Sequence, residues 1–356
     1  MKVLFVGGGT LGHIYPSLPV IKELKKENNY IIYVCGDKEN EKNVISNNSY
    51  IDKKYYLKMQ GFKRGFSIYN IKTIIMYFKT KKICKKIILE NNPDIVIGMG
   101  GYVSGPILKM AIKLKKKTII HEQNSVYGLV NKFFKNKVNK VLLAYNIDSG
   151  KNIYYIGNPR TSEFYNKYSR FLISKTLKKP KVFVVGGSQG AKVLNDFFIE
   201  NSDYFCNNDI DLILVTGKKY YRENKELISK NNKKIKIFPF VKNIEKYLII
   251  SDLIISRAGA TTISEILGLK KISILIPSPN VKNNHQYKNA NYYYEKGCVE
   301  MVLESNISNE LLMKIDACIN DLNKRNHILK SIDKNIFINS TELFLKEIKD
   351  LLEQKC

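Results

Sequence analysis

Short runs of apolar, often β-branched residues alternate along this chain with longer segments in which apolar residues recur every three or four positions. Two of the runs, residues 3–6 and 182–185, break into a cluster of glycines. Continuous apolar runs of this length are typical of parallel strands buried on both faces, and the longer segments have room for crossover helices. The pattern therefore predicts an α/β fold in which strands and helices alternate.

The apolar runs fall into two similar series. The runs lie at residues 3–6, 30–34, 95–97, 118–120, 141–144 and 154–156, and again at 182–185, 212–215, 235–238, 253–255 and 272–276. A turn-forming cluster, Gly157 to Arg160, follows the first series. We therefore expect one domain over residues 1–163 and a second over 164–335, with a C-terminal helix at about 336–356 that packs back on the first domain.

Composition limits the class of protein. The net charge is +27, which permits a nucleic-acid, anionic-membrane or polyphosphate partner. No uncharged apolar run approaches about 18 residues, and residue 6 leads into a glycine loop rather than into a signal-peptide cleavage site. The six cysteines are scattered, without Cys-x-x-Cys or zinc-finger spacing. We expect a cytoplasmic protein with free thiols and no metal site.

Residues 67–90 combine helical periodicity with positive charge. One interpretation is an ordinary core-facing helix with a solvated lysine face. The other is a helix that lies on an anionic membrane, where each lysine near the surface contributes about 1 kcal/mol. The apolar positions are Ile71, Ile74, Ile75 and Phe78, and the lysines are Lys79, Lys81, Lys82, Lys85 and Lys86.

Glycine-rich segments follow three of the runs, at residues 7–13, 98–106 and 186–191. Such a turn lets backbone N–H groups and a helix N-terminus approach a phosphate, although the second segment is equally compatible with a simple tight turn. His13 ends the first segment. A histidine there can deprotonate an incoming hydroxyl, a role typically worth about 10²–10⁴ in rate.

Polar groups follow other runs. Residues 121–124, His-Glu-Gln-Asn, come directly after the run at 118–120, where open α/β sheets bind ligands, although a solvated loop has the same pattern. Residues 257–265 pass from a strand to a helix and offer backbone N–H groups for a diphosphate, with Glu265 as a ribose acceptor; the alternative is a helix-capping arrangement. Gln286 follows a proline-containing loop.

In chain order, these motifs resemble those of the MurG family, bacterial transferases that add N-acetylglucosamine from its UDP derivative to a lipid-linked muramyl-pentapeptide precursor of peptidoglycan. The resemblance spans nearly the whole chain. Its motifs are Gly-Gly-Thr-x-Gly-His at 8–13, Gly-Met-Gly-Gly-Tyr-Val-Ser-Gly-Pro at 98–106, His-Glu-Gln-Asn at 121–124, Gly-Asn-Pro at 157–159, Gly-Gly-Ser-Gln-Gly-Ala at 186–191, Ala-Gly-Ala-Thr-Thr-Ile-Ser-Glu at 258–265, and Gln286 with Asn289 and Ala290.

The resemblance implies a GT-B fold, with two Rossmann-like domains whose parallel sheets face a central cleft. It also implies inverting transfer of N-acetylglucosamine to the 4-hydroxyl of the muramyl sugar of lipid I, which forms lipid II and UDP without a cofactor in the chemical step. Such an enzyme serves peptidoglycan and cell-wall synthesis, cell shape and cell division. We therefore expect a peripheral protein on the cytoplasmic face of an anionic membrane, with other cell-wall synthesis proteins as further possible partners.

The resemblance also assigns site residues. On the donor side, the Val241 backbone would meet uracil and Glu265 the ribose. His13 is the candidate base, with Glu122 as a weaker candidate. The remaining donor-side residues are Ser188, Ala260, Thr261, Thr262, Ile263 and Ser264 for the diphosphate, and Gln286, Asn124, Thr10, Leu11, Gly12 and Arg160 for the nucleotide sugar. The acceptor-side residues are Gly9, His13, Gly100, Gly101, Tyr102, Ser104 and His121.

The chain departs from the family pattern at two places. Leu11 stands where the family usually has glycine, and Arg160 matches the family's arginine only if one preceding residue is deleted. Among other functions, the nearest is a GT-B transferase that glycosylates another membrane lipid such as diacylglycerol, and a UDP-sugar epimerase is more distant. A nucleic-acid-binding protein is not expected, because no recognised module for it is present.

Overall fold

The computed structural model describes residues 1–60, 68–169, 179–187, 190–231 and 235–354. Their contacts divide the chain into two compact units. The first unit comprises Met1–Glu163 with Asn339–Cys356, and the second comprises Phe164–Ile338.

The first unit alternates strands and helices. Its elements are β1 (Lys2–Val6), a short 3-10 helix (Leu11–His13), α1 (Ser17–Lys26), β2 (Tyr30–Gly36), α2 (Glu39–Ser46), β3 (Lys53–Leu57), α3 (Ile68–Asn91), β4 (Ile95–Gly98), α4 (Ser104–Lys113), β5 (Lys117–Glu122), α5 (Leu129–Phe134), β6 (Lys140–Leu143), β7 (Ile153–Tyr155), the first half of α6 (Pro159–Tyr168), whose residues from Phe164 onwards belong to the second unit, and α16 (Ser340–Glu353). Within the described residues, seven strands form one parallel sheet in the order β3-β2-β1-β4-β5-β6-β7.

Both faces of this sheet are buried, which explains the continuous apolar runs. Along β1, Val3 and Phe5 belong to one core cluster, and Leu4 and Val6 belong to another. The first cluster includes residues of α1, α2 and α16, and the second includes residues of α3 and α4. Because successive side chains of a strand point to opposite faces, the helices form one layer on each side of the sheet.

The C-terminal helix α16 is held on the first unit by apolar packing and by charge. Phe344, Ile348 and Leu351 are buried in the same core cluster as α1. The Lys140 ammonium lies 2.7 Å from a carboxylate oxygen of Glu347. The ammonium of Lys117 donates to the backbone carbonyls of Leu351, Leu352 and Gln354 at 2.8–3.0 Å. These carbonyls end a helix and lack intrahelical partners, so a lysine satisfies them favourably.

The second unit repeats the plan. Its elements are β8 (Lys181–Val185), α7 (Lys192–Glu200), α8 (Ser202–Asn207), β9 (Asp211–Val215), α9 (Lys218–Glu223), α10 (Lys225–Asn231), β10 (Lys236–Phe238), α11 (Ile244–Ile250), β11 (Leu253–Ser256), α12 (Ala260–Gly268), β12 (Ile272–Leu275), α13 (His285–Tyr294), β13 (Glu300–Met301), α14 (Ile307–Asn320) and α15 (Leu322–Asn335). Its described strands form a parallel sheet in the order β10-β9-β8-β11-β12-β13.

Two edge strands, β3 and β13, were not predicted from the apolar runs. In β3, Leu57 is the one buried side chain of a Lys-Lys-Tyr-Tyr-Leu segment. Strand β13 has two residues. Edge strands are commonly short and rich in lysine because these features discourage pairing with another chain. They therefore lack the continuous apolar run that marks an interior strand.

In each sheet the strand order reverses next to the first strand of the unit, between β1 and β4 and between β8 and β11. Open α/β sheets bind ligands outside the carboxyl ends of the strands at such a switch point. The glycine-rich loops of the sequence follow these strands. None of the described helices is both long enough and apolar enough to cross a membrane.

Candidate functional site

At the switch point of the first unit, two glycine-rich loops touch. Val6 pairs with Gly98 at the ends of β1 and β4. Gly101 has a φ of +78°, and a β-carbon there would lie 1.8 Å from the backbone oxygen of Gly8. A side chain at Gly101 would therefore strain its own backbone and force the two loops apart. The glycine permits the close approach on which the site depends.

The same contact brings His13 to the second loop. Gly100 has a φ of +93°, and a β-carbon there would lie 2.8 Å from Cδ2 and 3.3 Å from Nε2 of His13. On the other edge of the imidazole, Nδ1 lies 3.1 Å from Oγ1 of Thr10, which is exposed. His13 itself is partly exposed at the end of the 3-10 helix. The ring thus has its Nε2 edge towards Gly100, whereas Nδ1 lies 3.2 Å from where a β-carbon on Gly101 would be and also reaches the exposed hydroxyl of Thr10.

Leu11 begins the 3-10 helix that carries His13. It is not among the described non-glycine residues with positive φ, and its side chain packs against the core cluster of α1 and α16. The backbone at this position therefore accommodates leucine without strain. Gly12 follows within the same helical turn.

A buried carboxylate holds the first loop, and sequence reasoning missed it. One oxygen of Glu41 accepts from the backbone N–H of Gly9 at 3.0 Å, and the other accepts from that of Gly36 at 3.1 Å. Glu41 belongs to α2 and is fully buried. A carboxylate among polar helix residues gives no sequence signal of such a role, because solvated glutamates share the pattern.

Glu122 is buried at the end of β5 with both oxygens hydrogen-bonded. One oxygen accepts from the backbone N–H and side-chain amide of Asn124, at 3.1 and 3.2 Å. The other accepts from the backbone N–H of Gly128 and the amide of Asn131, each at 2.9 Å. Burial raises the pKa of Glu122, and these hydrogen bonds oppose the rise. The carboxylate thereby holds the loop that presents Asn124.

His121 is fully buried, so its side chain has no surface for the direct acceptor contact that the sequence analysis assigned to it. Its Nδ1 lies 3.0 Å from the amide nitrogen of Gln123, and its Nε2 lies 3.4 Å from the carbonyl oxygen of Gly157. The amide nitrogen only donates and the carbonyl only accepts, which places the proton on Nε2. Burial lowers the pKa of His121 to about 4 and keeps the ring neutral.

The other acceptor-side candidates surround Gly101. Ser104 begins α4 and is fully buried, and its hydroxyl donates to the carbonyl of Gly101 at 2.8 Å. The hydroxyl thus fixes the turn instead of facing outwards. Tyr102 is partly buried, and a β-carbon on Gly9 would lie 2.9 Å from its ring. The two loops are therefore also in contact through Tyr102.

Arg160 lies beside the same region of the first unit. Its guanidinium is 5.2 Å from the ring centre of Tyr15, two residues after His13, and pairs with Glu163 at 2.5 Å. The backbone N–H of Arg160 donates to the side chain of Asn158 at 3.1 Å. Although this chain is one residue shorter than the family pattern before Arg160, the guanidinium lies close to the loop that carries His13.

Glycines lie in the loop after β8, at the switch point of the second unit. Gly190 has a φ of +76°, and a β-carbon there would lie 1.9 Å from the carbonyl oxygen of Thr216. Asn195 donates to the same carbonyl at 2.9 Å. Gly187 has a φ of +89°, and a β-carbon there would meet no described residue within 4 Å. Ser188, a predicted diphosphate ligand, lies outside the described residues.

Helix α12 begins at Ala260, directly after β11 and Gly259. The N–H of Ile263 donates to the carbonyl of Gly259 at 3.0 Å, whereas N–H groups of the first turn have no carbonyl partner in the helix. Thr261 and Thr262 are partly exposed in this turn. The hydroxyl of Ser264 donates to the Ala260 carbonyl at 2.8 Å, so this side chain is committed within the helix.

The remaining donor-side candidates surround α12. Val241 is buried in the core cluster of this unit, so its side chain is not available to a base. Glu265 is buried in α12. The side-chain oxygen of Gln286 accepts from the backbone N–H of Ser278 at 2.9 Å, which orients its amide. Arg257 pairs with Glu304 and donates to the carbonyl of Ile276, so its guanidinium is committed within the unit.

The basic segment of the first unit exposes apolar side chains. Ile71 and Ile74 of α3 are 58% and 46% exposed, whereas Thr73, Thr80 and Cys84 face the core. Placement of the side chains of Ile75 and Phe78 lies outside what the structure describes. Helix α5, which like α3 packs against α4, exposes Leu129 and Phe133 by 75% and 59%. Ile71 and Ile74 therefore do not form part of a core-facing stripe.

Comparison with known proteins gives matches to both halves of the chain. The glycosyltransferase family 28 N-terminal domain matches residues 3–143, and the C-terminal domain of that family matches residues 181–349. A protein of Bacillus thuringiensis subsp. konkukian named UDP-N-acetylglucosamine--N-acetylmuramyl-(pentapeptide) pyrophosphoryl-undecaprenol N-acetylglucosamine transferase 1 is 39% identical over 325 residues, which cover 88% of this chain and 89% of that protein. A Leuconostoc mesenteroides protein with the corresponding transferase name is 36% identical over 88% of each chain.

Among solved structures, the crystal structure of Acinetobacter baumannii MurG matches with a TM-score of 0.79 and 21% identity, and the match covers 98% of this chain and 99% of that one. This likeness confirms the expected GT-B fold of two Rossmann-like units. The sequence identity of 39% and 36% to the two transferases, over 88% of this chain, shows the family as well as the fold. The chain belongs to the MurG family of glycosyltransferases, within glycosyltransferase family 28.

Proposed function

We propose that this enzyme transfers N-acetylglucosamine from UDP-N-acetylglucosamine to the 4-hydroxyl of the muramyl sugar of lipid I, its undecaprenyl-diphosphate-linked muramyl-pentapeptide acceptor. The products are lipid II, with a β-1,4 linkage, and UDP. Family membership supports this donor and this acceptor over diacylglycerol. The observation that carries the site is the contact of His13 with Gly100 and Gly101 at the first switch point.

On the donor side, the second unit would hold the nucleotide diphosphate by its backbone. The first-turn N–H groups of α12, Ala260 to Thr262, follow the end of β11 and carry the positive end of the helix dipole. They would stabilise the charge that develops on the departing UDP, which is an electrostatic contribution to the transition state. Ser188 would join them, with Glu265 on the ribose and the Val241 backbone on uracil. The step needs no cofactor.

The side chains proposed for the sugar have their positions set within their own units. Gln286 has its amide oriented by Ser278, and Asn124 has its position set by Glu122. Thr10 and Gly12 adjoin His13, and Leu11 contributes backbone because its side chain packs inwards. Arg160 would approach the nucleotide sugar from beside Tyr15.

On the acceptor side, the lipid diphosphate would bind the backbone of Gly100 and Gly101, next to Tyr102 and to Gly9, whose own N–H is held by Glu41. His13 would take the proton of the muramyl 4-hydroxyl. Glu122 is a weaker candidate for that role, because both its oxygens already accept hydrogen bonds from the loop after β5 and from Asn131 of α5. Ser104 and His121 would act by holding the loops in place.

The first unit would also dock on the cytoplasmic face of the membrane, through residues 71–86 and α5. Ile71, Ile74, Leu129 and Phe133 offer exposed apolar surface. The Lys137 ammonium lies 3.5 Å from the ring centre of Phe133, and Lys79, Lys82, Lys85 and Lys86 are exposed along α3. Apolar side chains ringed by lysines suit an anionic lipid surface, where each lysine contributes about 1 kcal/mol.

The test is transfer of label from radiolabelled UDP-N-acetylglucosamine to purified lipid I, with chelator present. The account predicts labelled lipid II, loss of transfer in His13→Ala, and full transfer in His327→Ala, whose side chain is exposed on α15 of the second unit. Both variants are checked for folding by circular dichroism. Transfer to diacylglycerol in place of lipid I would overturn the proposed acceptor and leave the fold assignment intact.

A further inference from the structure

Gln123 lies between the two loops of the first switch point, and the proposed function gives it no role. Its side chain is 2% exposed. The amide nitrogen donates to the carbonyl of Met99 at 2.8 Å and approaches the carbonyl and Nδ1 of His121 at 3.2 and 3.0 Å. Carbonyl oxygens only accept, so the nitrogen must face them. This fixes the direction of the amide oxygen as well.

That oxygen, Oε1, is buried and has no hydrogen-bond partner among the described residues. Buried side-chain oxygens without a partner are uncommon in native proteins and call for an explanation. The oxygen lies 3.5 Å from the point that a β-carbon on Gly100 would occupy, and Nε2 of His13 lies 3.3 Å from the same point. The absence of a side chain at Gly100 leaves these two polar atoms facing the same small space.

We propose that Gln123 is a positioning residue for His13. Its Oε1 accepts a hydrogen bond from the Nε2–H of His13 through one water molecule beside Gly100. This fixes the neutral ring as the Nε2–H tautomer and leaves Nδ1 as the basic nitrogen. The inference rests on the proposed function, in which His13 takes the proton of the acceptor hydroxyl.

The position of Thr10 agrees with this assignment. Its exposed hydroxyl lies 3.1 Å from Nδ1 of His13, on the edge of the ring opposite Nε2. A hydroxyl therefore already reaches Nδ1 from the exposed side, which is the side from which a substrate hydroxyl would approach. Nε2 lies on the Gly100 side, where the buried oxygen of Gln123 can accept its proton.

The proton and electron balance follows from this geometry. The 4-hydroxyl oxygen forms its bond to the anomeric carbon while the bond from that carbon to the diphosphate oxygen breaks, and UDP leaves with the electron pair. The hydroxyl proton moves to Nδ1, and the ring becomes an imidazolium. The bond from Nε2–H to Gln123 strengthens as this charge develops, so it favours the transition state over the bound substrates. The imidazolium then releases its proton to solvent.

The first test is the ¹⁵N NMR signature of the histidine rings in the full chain, which does not require activity. The His13 signals are identified by their absence in His13→Ala. The wild type is expected to show the Nε2–H tautomer at His13, and Gln123→Met to show a mixture of tautomers. Gln123→Glu retains an oxygen towards His13 and should retain the tautomer.

The matched control is Asn131→Leu. Asn131 donates to the His121 carbonyl and to Glu122, so this variant disturbs the same loop without removing Oε1 of Gln123. Its His13 spectrum should match that of the wild type. An Nδ1–H tautomer in the wild type, or an unchanged His13 spectrum in Gln123→Met, would overturn the proposal.

The second test is kinetic. Loss of one hydrogen bond to a charged group predicts that Gln123→Met lowers kcat about ten-fold with little change in either KM. In a protein that already carries His13→Ala, Gln123→Met should not lower kcat further. Asn131→Leu should lower kcat by the same factor with and without His13→Ala. An equal loss from Gln123→Met in both backgrounds would give Gln123 a purely structural role. If the wild type fails to use lipid I, the proposed function fails, and the NMR result still decides the role of Gln123.

Discussion

The two sheets reverse their strand order at the same topological place, but the loops there differ in what they offer. At the switch point of the first unit, the imidazole of His13 is held between Thr10 and Gly100, with Gln123 behind it. At the switch point of the second unit, Gly187 and the first turn of α12 offer mainly backbone N–H groups. The first arrangement suits proton transfer and the second suits a diphosphate.

The units are alike in the glycines that permit these arrangements. Gly101 allows the loops of the first unit to touch, and Gly190 allows the loop after β8 to pass the carbonyl of Thr216. Both have positive φ, and in both cases a β-carbon would lie within 2 Å of a neighbouring backbone oxygen. The same backbone device therefore supports a side-chain site in one unit and a backbone site in the other.

The largest expected effect comes from removing the base. We predict that His13→Ala lowers kcat by about 10²–10⁴-fold, the usual contribution of general base catalysis. The KM for UDP-N-acetylglucosamine should change little, because the second unit binds the diphosphate. Steady-state transfer assays measure both constants. A large rise in the KM for UDP-N-acetylglucosamine with an unchanged kcat would instead show that His13 serves donor binding, as the second unit does, and not proton transfer.

The buried polar cluster should also make the first unit sensitive to acid. His121 has a pKa of about 4 when folded, against about 6.5 when unfolded. Between these values the unfolded chain binds a proton that the folded chain does not, so stability is full above about pH 6.5 and falls as the pH falls towards about 4. The loss is about 3 kcal/mol, from 1.36 kcal/mol for each pH unit.

The measurement is the free energy of unfolding in urea at about pH 7 and about pH 4 for the wild type and His121→Gln. The variant lacks the titrating ring and should lose less stability in acid. Equal acid losses in the two proteins would show that His121 does not carry this dependence.

Substitutions of Gly101 and Gly190 should affect acceptor use and donor binding separately. Gly101→Ala should impair use of lipid I and leave UDP affinity unchanged, whereas Gly190→Ala should weaken UDP binding at least about ten-fold because the loop after β8 must move. Calorimetric titration with UDP measures the second effect and transfer assays the first. Gly105→Ala is the control, because a β-carbon there would meet only Val130, at ordinary contact distances of 3.8–3.9 Å. Loss of UDP binding in Gly101→Ala would contradict the separation.

The smallest expected effect concerns the membrane surface of the first unit. Replacing Leu129 and Phe133 together by serine should weaken sedimentation with phosphatidylglycerol vesicles about ten-fold, because part of an apolar side chain's burial is lost. The matched control in the second unit is Met313→Ser, whose side chain is 66% exposed on α14. If Met313→Ser weakened sedimentation with the vesicles equally, the surface of the first unit would not be the specific membrane-binding surface.

Interior strands and glycine loops could be predicted from the sequence because they depend on local features. The run at residues 3–6 is apolar because both faces of β1 are buried, and loop 7–13 needs glycine for close approach. Strand β3 could not be predicted, because its pairing with β2 leaves most of its side chains at the surface.

The candidate site divides in the same way. His13 is identifiable because it ends a glycine loop. The roles of Glu41 and Gln123 depend on which backbone groups lie opposite them, and residues distant in sequence decide that. His121 and Ser104 were predicted on the acceptor side with motif neighbours, but the structure turns their side chains inwards. A motif identifies a loop more reliably than it tells which of its side chains face a ligand.

The central claim is that the first unit supplies the base while the second binds the nucleotide. Its most direct test is a single-turnover experiment, in which enzyme loaded with radiolabelled UDP-N-acetylglucosamine is mixed with excess lipid I. The account predicts that His13→Ala binds as much donor as the wild type but transfers it at least about 100-fold more slowly. Equal transfer rates, or loss of donor binding in parallel with loss of transfer, would contradict it.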